Sequence, residues 1–286
     1  MNTKILPLFC LFFLILFNLS FRFPVDNGRI TSTYGESRGD HFHDGVDIIS
    51  GDRKIYPVSE GELIFFWDKS IFPTENYPGS GNYKILSHKN NLYSLYMHMN
   101  DALSQNKNYS TNDILGIIGN TGHSSGKHLH FCLLDISRNV SINPFLLLPP
   151  IKDIKNPKIL EIFIRIDDRY FTINENDTIS LTQHHPLLIK IIDSIKMKER
   201  LGIYRLKLIF NNATVMDIKF SEICFSKNGL TISNKTFHHL YDRKGYYKLD
   251  NIIYNNGSNH LTIITYDFSK NKAIKKLSFN AKLEIE

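Results

Sequence analysis

Residues 128–133 read His128-Leu129-His130-Phe131-Cys132-Leu133. Successive side chains of a strand point to opposite faces, so His128 and His130 share one surface of a sheet while Leu129 and Phe131 face the other way. A strand that is apolar on one side and carries two imidazoles on the other is the reading this alternation favours. The same period recurs in Gly61–Phe66, Asn82–Leu86 and Tyr93–His98, each bounded by Gly, Asn or Asp. Short alternating segments with turn residues between them, and no long helical stripe, predict an antiparallel sheet.

The breaks Asn143-Pro144 and Pro149-Pro150 predict a domain end and a linker. A second set of strands is expected at Leu160–Ile166, Leu187–Ile192, Tyr204–Phe210, His260–Tyr266 and Lys275–Phe279, with hairpin signals such as Asn256-Gly257. The fold class is therefore all-β: a compact antiparallel domain over residues 23–148, then a β-sandwich over 151–286 that is similar in pattern to immunoglobulin-like modules. A chain of 286 residues is long enough for two such cores.

At the other end, Ile5–Phe17 is an unbroken apolar run after Lys4. Residues 1–22 are thus expected to be a secretory signal or an N-terminal membrane anchor, which places the protein outside the cytoplasm, in the periplasm or cell envelope. Cys10, Cys132 and Cys224 have neither the number nor the spacing of a disulfide framework or a CxxC site. The net charge of +6 is uneven: residues 24–148 carry 10 Lys and Arg against 13 Asp and Glu, and residues 149–286 carry 22 against 15. That basic excess would attract an anionic wall polymer or a membrane surface, unless it is simply a solvated face. No nucleic-acid partner is expected.

Seven of the twelve histidines fall between positions 41 and 130. His43 and Asp47 stand in His43-Asp44-Gly45-Val46-Asp47, where an offset of four returns to one side of an extended segment. Two imidazoles and one carboxylate form a typical catalytic zinc set, with a fourth position left open for water. There is no HExxH helix, so histidine is the available base. The chemistry that fits is metal-assisted amide hydrolysis.

Taken together, these segments resemble the lysostaphin-type, LytM-like peptidoglycan endopeptidases. The likeness runs from about residue 23 to 148. It is carried in order by Phe23-Pro24-Val25, by His43-x-Gly45-x-Asp47, by Leu95-Tyr96-x-His98, and by Gly116-x-x-Gly119-x-Thr121-Gly122 leading into Gly126-x-His128-Leu129-His130-Phe131. The resemblance implies one Zn2+ per chain held by His43, Asp47 and His130, catalytic assistance from His98 and His128, and peptidoglycan as substrate. Some members have lost ligands and instead bind and activate a cell-wall amidase. Retention of all five positions here favours an active enzyme over that alternative.

The remaining candidates have blander readings. His41 is expected on a groove wall or the surface, His88 in a structural turn, and His123 in an exposed loop. The adjacent pairs His184-His185 and His238-His239 face opposite ways and chelate poorly. Tyr96 lies two residues from His98, so its hydroxyl either reaches the site or is satisfied in the core. Trp67–Ser80 is a long connection that could wall the substrate groove or be a tolerated insertion.

Overall fold

The structure is a computed structural model and describes residues 21–101, 105–182, 184–195, 201–227 and 229–284. The apolar run at 5–17 and Cys10 lie outside the described residues. Among those described, no helix is long and apolar enough to cross a membrane.

The chain is almost wholly β, as the alternation predicts. The expected strands of the front half occur as Gly61–Trp67, Asn82–Ser87, Leu92–Met99 and Leu129–Asp135. Each pairs antiparallel with its neighbour, Leu129–Asp135 lying beside Leu92–Met99. Their burial follows the period-two pattern: Leu86, Tyr96, Leu129, Phe131 and Leu133 are fully sealed from solvent. Burying each such side chain contributes roughly 1.5–3 kcal/mol.

The free edge of Leu129–Asp135 is shared by two short strands. Val46–Ile49 pairs with its first half, setting Asp47 opposite His130, and Val140–Ile142 pairs with its second half. Strands of three and four residues are below the length at which alternation can be read, so neither was foreseen.

The sheet does not end at the linker. Val140–Ile142 also pairs with Glu222–Ser226, and Gly229–Ile232 and Lys235–Thr236 follow, so residues beyond 151 continue the first sheet. The other strands of the back half form a four-stranded sheet around Lys158–Ile166 and Leu187–Ile192, and a five-stranded sheet around Gly257–Tyr266 and Lys272–Leu283. The five-stranded sheet includes one parallel pair, Thr178–Leu181 with the end of Lys272–Leu283. This arrangement is β-rich, as expected, but it does not establish an immunoglobulin-like topology.

Side chains reinforce the seam between the halves. Phe42 packs edge-on against Phe237 at 5.4 Å between ring centroids and against Tyr241 at 6.2 Å. The Tyr241 hydroxyl donates to the Gly35 carbonyl at 2.8 Å, and Asn143 Nδ2 donates to the Phe220 carbonyl at 2.7 Å. Gly202 N donates to Thr33 Oγ1 at 2.8 Å. Buried polar groups paired across a boundary are lost together if the boundary opens.

Candidate metal centre and its cleft

The paired strands bring three atoms together. His43 Nε2 lies 3.1 Å from Asp47 Oδ1 and 3.0 Å from His130 Nδ1, and His130 Nδ1 lies 2.9 Å from Asp47 Oδ1. His43 and Asp47 are buried, and His130 is nearly so. Zinc bonds of about 2.0–2.1 Å make the edges of a tetrahedron about 3.3 Å, close to this triangle. The proton positions agree with a cation at its centre. His43 Nδ1 donates to the Thr33 carbonyl at 2.7 Å, which leaves a lone pair on Nε2 facing a carboxylate oxygen. Lone pairs converge at such distances only around a proton or a metal, so the residues present fit the metal their types suggested.

Each donor is held from behind. Gly35 N donates to the His43 carbonyl at 2.7 Å, fixing the segment before its strand. Arg38 donates to Asp47 Oδ2 at 2.5 Å. Burial alone would raise the Asp47 carboxyl, but its contacts with the His130 and His43 rings outweigh it and hold Asp47 well below the usual carboxylate range. His130 Nε2 meets Asp44 Oδ1 at 3.2 Å and Cys132 Sγ at 3.0 Å. Burial would lower the His130 imidazole, but its contacts with Cys132, Asp44 and Asp47 push it up. Gly45 permits this closeness: a Cβ there would sit 2.5 Å from the Phe131 carbonyl oxygen and 2.9 Å from His130 Nε2.

His98 and His128 stand beside the triangle, with ring centroids 4.9 Å apart. His98 Nδ1 donates to the Thr121 carbonyl at 2.8 Å, and His128 Nδ1 donates to the Gly126 carbonyl at 2.8 Å. In the neutral rings Nε2 is therefore the unprotonated nitrogen. Burial pushes the His98 imidazole down to about 4. His128 Nε2 lies 3.5 Å from Asp47 Oδ1.

His98 reaches this face by breaking the strand alternation. Its φ is 60°, in the left-handed region, and its ring lies 5.9 Å from that of His130. A non-glycine residue there is strained, and such strain concentrates at functional sites. Tyr96 consequently does not share the surface of His98. It is wholly buried on the Phe131 side, its hydroxyl accepting from Val58 N at 2.9 Å and from Ser94 Oγ at 3.0 Å.

The five residues line a cleft of about 490 Å³, with Arg38, His41, Asp44 and His123 on its walls. His41 and His123 are exposed. His88 is structural, Nδ1 bonding the Glu60 carbonyl at 2.8 Å and Nε2 meeting Ser94 Oγ at 2.7 Å. The long connection packs on itself, Trp67 stacking on Phe72 at 6.0 Å, and delivers Gly79 and Ser80 to the cleft. The Ser80 carbonyl accepts from His98 N at 2.9 Å, so this connection helps to hold His98. Sequence reasoning missed Arg38, Asp44 and the carbonyls of Thr33 and Thr121. Asp44 lay inside the quoted ligand motif, whereas backbone acceptors carry no sequence signal.

Comparison with known proteins bears on this site. Residues 41–144 match the model of Peptidase family M23, and this segment is an M23 peptidase domain of the LytM/lysostaphin type. A further family model matches residues 156–282. The chain is similar to the peptidoglycan DD-endopeptidase ShyA of Vibrio cholerae, with 29% identity over 129 residues, covering 42% of this chain and 28% of that protein. It is also similar to the DD-carboxypeptidase/endopeptidase Mpg of Neisseria meningitidis, with 34% identity over 53 residues, 18% of this chain and 12% of that one. The chain thus spans less than a third of the length of these curated relatives. Among solved structures, a zinc-containing peptidase from Vibrio cholerae shares 25% identity, covering 40% of this chain and 36% of that chain with a TM-score of 0.34.

Proposed function

We propose that the protein is a zinc-dependent endopeptidase that hydrolyses peptide cross-links of bacterial cell-wall peptidoglycan, acting as an exported protein of the cell envelope. The observation that carries this reading is the convergence of His43 Nε2, Asp47 Oδ1 and His130 Nδ1 within 3.1 Å, beside two further histidines whose Nδ1 protons are already committed to backbone carbonyls. The M23 match over the same residues supports it.

His43, Asp47 and His130 would hold the metal. When bound, zinc would supply Lewis-acid polarisation and a water of lowered pKa. The other tasks fall to the chain itself. Because Nδ1 of His98 and of His128 donates to a carbonyl, Nε2 is the atom that accepts a proton from the attacking water or steadies the developing oxyanion. An imidazole held near 4, as at His98, gives up an acquired proton readily, which suits delivery to the departing amine. Arg38 holds Asp47 Oδ2 and fixes the carboxylate's orientation, and Ser80 and Thr121 lock the His98 backbone and ring. Exposed His41 and His123 stand on the cleft's walls, so a substrate can reach the site from solvent. The basic excess after residue 149 would add attraction to anionic wall polymers or the membrane surface.

The test is turnover of purified peptidoglycan by the full chain. The reading expects chelation to abolish release of soluble fragments and added zinc to restore it. Activity that survives complete removal of the metal would overturn it.

A further inference from the structure

A second cluster of ligand-type side chains lies at the seam of the two halves, outside the cleft. Asp153 follows the Pro149-Pro150 break, Asp193 directly follows the strand Leu187–Ile192, and Asp267 opens the turn after Gly257–Tyr266. One carboxylate oxygen from each lies within 4.8 Å of the others. Asp193 is 3% exposed and Asp267 0%. The Asp193 Oδ1 atom is buried and has no hydrogen-bond partner. Among the described residues, no salt bridge reaches any of the three.

Burial and the neighbouring carboxylates push Asp193 up to about 7 and Asp267 above the usual carboxylate range, a cost that a bound cation would relieve and that N–H donors oppose. Asp267 Oδ1 accepts from Ser269 N and Asn271 N, both at 2.8 Å, and Oδ2 accepts from Asn271 Nδ2 at 2.7 Å. Asp153 Oδ1 accepts from Lys155 N at 3.0 Å. N–H donors of this kind stabilise the ionised form. Carboxylates this close repel one another, with Asp193 and Asp267 buried and Asp153 half-buried, and a buried acceptor without a partner costs about 1–3 kcal/mol. Beside Asp153 and Asp193 is a gap of about 10 Å³ whose other walls are mainly apolar, with Ser269 and, from the front half, Thr33 and Phe145 among them; Asp267 adjoins the two carboxylates but does not line the gap. The gap has room for about one water-sized occupant.

We propose that Asp153, Asp193 and Asp267 form a structural site for a hard divalent cation, of which calcium fits best, and that the ion fastens the linker and the back half to the metallopeptidase domain. The all-oxygen donor set selects a hard cation over zinc. Calcium accepts irregular shells of oxygens at about 2.3–2.6 Å, which three carboxylates brought from separate segments suit better than the near-ideal octahedron magnesium demands. Backbone carbonyls and water complete its larger shell. The ion sits next to Thr33, whose carbonyl holds His43, so it braces the rear of the catalytic cleft.

The experiment uses the full chain, stripped of metal and reloaded with zinc, followed by calcium-45 equilibrium dialysis and calorimetric unfolding. The proposal expects one calcium per chain and an unfolding midpoint raised by about 5 °C at a hundredfold excess over the dissociation constant. Asp193→Asn and Asp267→Asn should each lose the bound calcium and the shift, while Asp47→Ala, altered only in the cleft, should keep both. If the wild-type chain binds no calcium and its midpoint does not move at millimolar calcium, the cluster merely holds a proton and the proposal fails. It fails equally if Asp193→Asn still binds one calcium.

Discussion

Asp47 and His130 are register partners across the antiparallel strands Val46–Ile49 and Leu129–Asp135, and their side chains meet at 2.9 Å between Oδ1 and Nδ1. Each strand fixes one donor, and the sheet's own hydrogen bonds fix the distance between them. Removing a donor from a three-ligand site leaves too few to hold zinc tightly. Asp47→Ala, His43→Ala and His130→Ala are each expected to lose both zinc and hydrolysis. Elemental analysis after gel filtration checks this, and a fully zinc-loaded Asp47→Ala protein would remove Asp47 from the ligand set.

Binding and chemistry should separate at the flanking histidines. His128→Ala is expected to keep zinc and lose about 10²- to 10⁴-fold in turnover, the usual loss for one acid–base or oxyanion group. At His98 the cleaner substitution is His98→Asn, because asparagine tolerates the left-handed backbone that alanine would strain. Steady-state rates and zinc content on the same samples decide it. If His128→Ala loses zinc while His130→Ala retains it, the two roles are reversed.

Gly45 offers a test of packing behind the site. In Gly45→Ala the new methyl would collide with the Phe131 backbone and with His130 Nε2. Overpacking of this kind costs about 1–3 kcal/mol, and here it pushes a ligand out of place. Both the unfolding midpoint and the zinc content should fall, and a variant unchanged in both would show that the contact is not as tight as the geometry requires.

Lys84 gives the pH dependence a definite sign. It is fully buried, with Nζ 2.8 Å from the Leu115 carbonyl and 3.0 Å from the Tyr109 hydroxyl, and burial pushes its amine down to about 8 from 10.5. Between those values the unfolded chain binds more protons than the folded one, so stability rises with pH through that window. Compared with Lys84→Met, the wild-type protein should gain stability from pH 8 to about 10.5. Denaturation midpoints that run parallel for the two proteins over this range would contradict the shift.

Much of this architecture could be read in the chain. Alternation located Asn82–Ser87, Leu92–Met99 and Leu129–Asp135 to within about two residues, because one face of each is buried. The pairing of His43, Asp47 and His130 followed from motif and resemblance. Strand alternation misled at Tyr96 and His98, since a single left-handed residue reverses which way a side chain points. The continuation of the first sheet through Glu222–Ser226 was invisible, because nothing local to residues 222–226 names Val140–Ile142 as its partner.

That shared sheet changes what truncation should do. The sequence suggests either a separable module, whose deletion would cost salt-sensitive wall binding and spare hydrolysis of a small peptide, or a shield over the front half's hydrophobic edge, whose loss would cause aggregation. In the structure, deleting residues 151–286 strips Glu222–Ser226 from the edge of Val140–Ile142 and uncovers Phe42. An unpaired edge beside an exposed apolar surface favours aggregation. The shortened chain is expected to aggregate or fail to fold, as light scattering would report. A monodisperse shortened chain with undiminished activity on a small cross-linked peptide would contradict this.

The central claim is that the cleft hydrolyses a peptide cross-link of peptidoglycan with His43, Asp47 and His130 holding zinc. Mass analysis of the fragments released from purified peptidoglycan by the zinc-loaded chain tests it most directly. The account predicts that cross-linked fragments become monomers bearing a new amine and a new carboxylate, one water gained per bond cut, and that Asp47→Ala releases none. Cross-linked fragments left intact by the zinc-loaded wild-type chain would contradict it.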